Sequence, residues 1–221
     1  MNITCLPDDL RDAALKTAAE TLIQCLQAMP ELQGAKVAIV GGMAVQNYLT
    51  GYRRTYDVDV LLFRPDRPID YQLMRKELVS LSQHKRKPKY SYFVQVDIIP
   101  EYLPPYLPAQ AMTLEDVDIG HLPFLDPLDL LACKVHCSSM RSSLRKRKQD
   151  ADDAVKLCET YYGQEYVPPS KEQRDAIASG VDLMAEFSRR SHWRKWRLRQ
   201  WVKSVRGAAC GWVQSAGQRL I

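Results

Sequence analysis

Asp57 and Asp59 flank a single valine at the head of an apolar run, Val58-Asp59-Val60-Leu61-Leu62-Phe63. In a strand, residues i and i+2 point to one face. The two carboxylates would then project side by side while Val58 and Val60 turn into the core. Carboxylates held that close repel each other unless a cation neutralises them, and a divalent metal is the usual answer. A third carboxylate, Asp97, stands in a later apolar run, Tyr92-Phe93-Val94-Gln95-Val96-Asp97-Ile98-Ile99. A polar group buried there without a partner would cost about 2–7 kcal/mol, and a charge more. Asp97 is therefore expected at a wet strand end or facing a cation. If the two strands are neighbours, Asp57, Asp59 and Asp97 can surround one or two Mg²⁺ (or Mn²⁺) ions, which take oxygen ligands. Ions so held can carry the phosphates of a nucleoside triphosphate and stabilise in-line displacement at its α-phosphorus.

The elements around these residues follow from pattern. The apolar run Val37-Ala38-Ile39-Val40 belongs to a strand over residues 36–40, and Gly41-Gly42 follows it. Such a glycine pair makes a turn where backbone N–H groups can approach a phosphate closely. A helix over about 43–49 comes next, with Gly51 as terminator. Then come Arg53 and Thr55, and a strand over about 58–63 stopped by Pro65 and Pro68.

Upstream, Leu10, Ala13, Ala14, Ala18, Leu22, Cys25 and Leu26 recur near a 3.6-residue period and predict a helix over 8–28. Downstream, a helix is expected over 71–83, a basic turn over 84–89 and the Asp97 strand over 92–99. Residues 101–125 are proline-rich and loop-like, with a short strand near 117–119. Asp126-Pro127 opens a helix to about 139. A basic link over 141–148 leads to a helix over about 149–162. Ser170, with Gln173 three residues on, starts a last helix over 170–190. The expected architecture is α/β (α+β): a small mixed β-sheet flanked by helices in residues 1–125, a helical part in 126–187 and a tail in 188–221.

Composition bounds the function classes. The chain has 221 residues, 46% hydrophobic and 26% charged, which is ordinary for a globular protein. No apolar run approaches 18 residues, so no transmembrane helix is expected, and no secretory signal pattern is visible at the start. Six irregularly placed cysteines fit reduced thiols in an intracellular, cytoplasmic protein better than a disulfide framework. The net charge of +5 is unevenly spread. Nine of the 31 Lys and Arg residues, and none of the 26 Asp and Glu, lie after Glu186, so residues 1–186 hold 22 bases against 26 acids, a net −4. A mildly acidic body thus carries a basic tail that also holds all four tryptophans, Trp193, Trp196, Trp201 and Trp212. Such a tail suits nucleic acid through phosphate contacts and stacking, an anionic membrane surface or partner protein, or packing of its tryptophan stripe on the body.

The string VGGMAVQNYLTGYRRTYDVDVLL, residues 40–62, resembles the signature of the nucleotidyltransferase superfamily with its DNA polymerase β-like fold. More narrowly it is similar to the AbiEii/MenT-type nucleotidyltransferases, and the resemblance covers roughly residues 36–160. On it, Gly41, Gly42, Arg53 and Thr55 belong to the substrate-binding motif and Asp57 and Asp59 bind metal. Asp97 becomes the third carboxylate, a metal ligand or the acceptor of a proton. Lys134 would contact nucleotide phosphate, and Asp150 or Asp153 would orient that lysine or the nucleotide. Gln149 stands where the family has a lysine before Asp150, with Lys148 adjacent.

The resemblance implies an Mg²⁺-dependent transferase moving a nucleotidyl group from an NTP to an RNA hydroxyl, such as a tRNA 3′ end, or to a protein hydroxyl. Pyrophosphate leaves, and an antitoxin-like protein is an implied partner. The alternative is a non-catalytic nucleotide- or RNA-binding protein that retains the fold. Cys133, His136 and Cys137 share one helical face and, with Cys158 from the next helix, form a weaker candidate for zinc.

Overall fold

A computed structural model describes residues 3–84, 93–161 and 169–187. The basic turn at 85–89 and the tail at 188–221 lie outside the described residues. The chain divides into two compact units, residues 1–126 and 127–221.

In the first unit, helix α1 (Asp8–Gln27) precedes strand β1 (Lys36–Val40), helix α2 (Gly41–Tyr48), strand β2 (Asp57–Phe63), helix α3 (Tyr71–His84), strand β3 (Gln95–Ile99) and the short strand β4 (Met112–Thr113). The four strands form one sheet in the order β3-β2-β1-β4. β1 runs antiparallel to β2 and to β4, while β2 and β3 are parallel, so the sheet is mixed. The period-2 alternation decides its two faces. Val37 and Ile39 of β1 and Val58, Val60 and Leu62 of β2 join Leu15, Ala19, Ile23 and Leu26 of α1 and Met74 of α3 in one buried cluster. Each fully buried Leu or Ile side chain there contributes about 1.5–3 kcal/mol. Asp57 and Asp59 alternate with Val58 and Val60 and occupy the opposite face of β2. Asp70 caps α3, accepting from the backbone N–H of Gln72 and Leu73 at 3.0 Å each.

Several boundaries differ from the sequence expectation. Gly41 and Gly42 are the first residues of α2 rather than a turn before it. The Asp97 strand begins at Gln95 within the described residues. No strand forms at 117–119; β1 instead pairs with Met112–Thr113 and bridges Phe124 through Ile39. The buried face of α1 runs through Arg11, Leu15, Ala19, Ile23 and Leu26, while Leu10 is 50% exposed. The apolar residues alone mislead there because a buried arginine occupies one core-facing position.

The second unit contains α4 (Pro127–Met140), α5 (Leu144–Tyr161) and α6 (Lys171–Phe187). Pro127 takes the first helical position of α4, where its missing N–H costs nothing. α5 starts earlier than expected: the Arg147 N–H already bonds the Ser143 carbonyl at 2.9 Å, so most of the basic link is helix. α6 opens with a reciprocal capping box. The Gln173 N–H donates to Ser170 Oγ at 3.2 Å, and the Ser170 N–H donates to Gln173 Oε1 at 2.7 Å. Gly180 lets α6 approach α4, since a Cβ there would stand 2.8 Å from the Val135 carbonyl carbon. Among the described residues, no helix is long and apolar enough to cross a membrane, and Cys5, Cys25 and Cys133 are free thiols.

Candidate metal centre

Strand pairing brings the three aspartates together. β2 and β3 are parallel with Asp59 opposite Asp97, so these two side chains share a face. Asp57 lies two residues before Asp59 on that same face. One carboxylate oxygen from each of Asp57, Asp59 and Asp97 lies within 4.8 Å of the other two. Asp57 and Asp59 are half-buried and Asp97 is exposed. β3 is an edge strand, so Asp97 meets water, and the burial cost that its apolar neighbours suggested does not arise.

Thr55 and Gln95 orient two of the three. Thr55 Oγ1 donates to Asp57 Oδ1 at 2.8 Å, from a side chain that is itself buried. Gln95 Nε2 donates to Asp97 Oδ2 at 2.9 Å. Both donors are neutral, so each hydrogen bond fixes a carboxylate without cancelling its charge. Motif reading does not single out Gln95; its signal in the sequence is its position two residues before Asp97, on the same strand face.

The glycine pair is explained by contact with this cluster. Gly41 has φ +64°, a left-handed conformation costly for any residue with a side chain. A Cβ on it would overlap the Asp59 carboxylate, and one on Gly42 would overlap the Thr55 hydroxyl and stand 2.9 Å from Thr55 Cβ. The head of α2 therefore lies directly against Asp59 and Thr55. Arg53 joins the same neighbourhood, its Nη1 3.2 Å from the Gly42 Cβ position, and it donates to the Arg54 carbonyl at 3.2 Å.

The donor set fits a hard divalent cation. It offers only carboxylate oxygens, with further lone pairs for water or phosphate, as Mg²⁺ or Mn²⁺ requires. An octahedral ion with bonds near 2.0–2.1 Å holds ligand oxygens about 3–4 Å apart. The observed 4.8 Å limit is thus within reach of small side-chain rotations.

Lys134, Asp150 and Asp153 come together in the second unit. The Lys134 ammonium lies 2.8 Å from Asp150 Oδ1 and 2.9 Å from Asp153 Oδ2, and Arg141 Nε lies 2.7 Å from Asp150 Oδ2. Asp153 is fully buried, and Lys134 and Asp150 nearly so. Burial pushes the Asp150 carboxyl up, but Lys134 and Arg141 outweigh it and hold the group below its ordinary value. The carboxylates thus orient the lysine, and Arg141 joins them from the turn between α4 and α5.

The weaker zinc candidate does not assemble: among the described residues, the Asp57–Asp59–Asp97 group is the one cluster with metal-ligand spacing. Burial drives the Cys133 thiol far above its usual range, so it stays protonated, and burial holds His136 below its ordinary value.

No family model matches the chain, and no curated protein matches it. Among solved structures, the crystal structure of an antigenic nucleotidyltransferase-like protein from Paracoccidioides brasiliensis superposes with a TM-score of 0.44 at 20% identity, covering 76% of this chain and 87% of that one.

Proposed function

We propose that the chain is a metal-dependent nucleotidyltransferase of the AbiEii/MenT type, acting inside the cell. One observation carries the reading: three carboxylate oxygens from two paired strands converge within 4.8 Å against a glycine-headed helix. In it, Asp57 and Asp59 hold the ion, and Asp97 ligates it or takes the acceptor's proton. When bound, Mg²⁺ or Mn²⁺ supplies positive charge for the triphosphate and the departing pyrophosphate. The α2 N-terminus at Gly41 and Gly42 presents backbone N–H groups to phosphate. Arg53 adds charge, while Thr55 keeps the Asp57 carboxylate aimed. Lys134 enters as the phosphate lysine, with Asp150 and Asp153 orienting its ammonium. The acceptor is a hydroxyl of RNA, a tRNA 3′ end among the candidates, or of a protein. The basic tail favours RNA, and an antitoxin-like partner remains part of the proposal.

The test is transfer of label. Purified protein with Mg²⁺ and each α-labelled NTP in turn is expected to label bulk tRNA or its own chain. Asp57→Ala and Asp59→Ala are expected to abolish that label. Absence of label with every NTP, or label unchanged in both variants, overturns the reading.

A further inference from the structure

Arg11 of α1 is a charged residue in a core-facing position: it is 2% exposed. Its guanidinium donates through Nη1 to Asp8 Oδ1 at 2.6 Å and through Nη2 to Asp12 Oδ1 at 3.2 Å. The Tyr56 ring lies over it, 5.6 Å from centroid to Cζ. Asp8 in turn pairs with Arg54 Nε at 3.0 Å, and Asp12 Oδ2 accepts from Gln46 Nε2 of α2 at 2.8 Å. Arg11 is thus joined to both elements that frame the aspartate cluster, the segment before β2 and the helix headed by Gly41 and Gly42.

The geometry of that segment gives the linkage a direction. Arg54 and Tyr56 turn toward α1, where Arg54 pairs with Asp8 at the surface and the Tyr56 ring faces Arg11. Thr55 between them is turned the other way, buried beside Gly42, with its hydroxyl on Asp57. Contacts at the two outer residues orient the middle one, and the middle one aims Asp57. The arrangement also carries a cost that simple packing would avoid: Arg11 Nε and Gln46 Oε1 are buried with no hydrogen-bond partner among the described residues. An apolar side chain at position 11 would remove the Arg11 share of that cost and continue the Leu15–Ala19–Ile23 face.

We infer that Arg11 is a positioning residue for the aspartate cluster, acting on Asp57 through Tyr56, Arg54 and Thr55 without touching ion or nucleotide. The inference rests on the metal-site reading above. Outer contacts that orient ligand side chains change metal affinity about 10- to 100-fold when removed. The test is Mn²⁺ binding, read by electron paramagnetic resonance of the free ion, on the full chain without nucleotide. Arg11→Met is expected to bind Mn²⁺ about tenfold or more weakly than the natural protein. Arg11→Lys, which keeps the charge but loses the fork, should fall between them. Ile23→Val, on the same buried face of α1, is the control for lost packing and is expected to leave affinity unchanged. If Arg11→Met does not fold, the exposed end of the linkage serves: Tyr56→Leu and Arg54→Ala each break only part of it and should each weaken binding about threefold or more, less than the 10- to 100-fold of a complete loss. Natural affinity in folded Arg11→Met, or in both Tyr56→Leu and Arg54→Ala, overturns the inference, as does an equal loss in Ile23→Val. Absence of Mn²⁺ binding by the natural protein overturns the metal-site reading itself, and the inference with it.

Discussion

Asp57, Asp59 and Asp97 in the first unit and Asp150 and Asp153 in the second are the same chemical group met by different partners. In the second unit the chain supplies the counter-charge: Lys134 stands between both carboxylates and Arg141 closes on one of them. Burial there is tolerable because every charge is matched at hydrogen-bond distance. In the first unit, Asp57 and Asp97 receive a hydroxyl and an amide, both neutral, and the cluster opens toward water at an edge strand. An internally neutralised cluster can be a permanent part of the core. Asp57 and Asp97, held by neutral donors, gain most from a cation out of solution. On the proposed reading, the difference separates aspartates that hold a lysine from aspartates that would hold a metal ion.

Breaking the first cluster should strike activity hardest. Asp57→Ala or Asp59→Ala should reduce nucleotidyl transfer about 100-fold or more, since several kcal/mol of charge stabilisation depend on the ion. Metal-free thermal stability should hold or rise in Asp59→Ala, because removing one carboxylate relieves repulsion, whereas Asp57→Ala also leaves the buried Thr55 hydroxyl without its acceptor. Added Mg²⁺ should raise the melting temperature of the natural protein but not of the variant, which differential scanning calorimetry resolves.

Breaking the second cluster should strike stability first, and transfer with it, since Lys134 is the proposed phosphate contact. Lys134→Met leaves Asp150 and Asp153 buried without their shared cation, at a cost of about 3–5 kcal/mol in urea unfolding. Lys134→Met combined with Asp153→Leu removes charge from both sides and leaves Asp150 with Arg141. It should recover most of that loss, a non-additivity that a double-mutant cycle reads directly.

Gly42→Ala tests the close contact at the head of α2. The added methyl meets the Thr55 side chain, and the expected cost is about 1–3 kcal/mol of overpacking. A drop in Mg²⁺-induced stabilisation should accompany it, because Thr55 aims Asp57.

The smallest effect is acidic. Asp150 is held below its ordinary value of 3.8 in the folded protein. A carboxyl depressed by folding stabilises fully above its unfolded value, and that contribution disappears as pH falls through the lower folded one. The urea midpoint should therefore fall below about pH 4, and Asp150→Asn should flatten that dependence.

Much of the site is legible in the chain because it rests on local pattern. The i, i+2 spacing of Asp57 and Asp59, with Val58 and Val60 alternating between them, is enough to place both carboxylates on one strand face. Ser170 and Gln173 announce the start of α6 in the same local way. What pattern does not carry is pairing. That β3 lies beside β2 with Asp97 opposite Asp59 depends on a crossover through α3, which spacing alone does not dictate. β4 escapes a sequence reading because two residues contribute no periodicity, and the start of α5 does so because four basic residues in its first turns look like a solvated link. Arg11 is invisible to an apolar count; only its neighbours Asp8 and Asp12 hint that a buried cation is matched there.

The most direct test is a crystal soaked in Mn²⁺ and measured for anomalous scattering. A peak bonded to carboxylate oxygens of Asp57, Asp59 and Asp97, with none at Asp150 and Asp153, is the predicted result. A map empty at the first cluster in crystals that hold Mn²⁺ elsewhere, or a peak at the Lys134 cluster instead, would contradict the assignment.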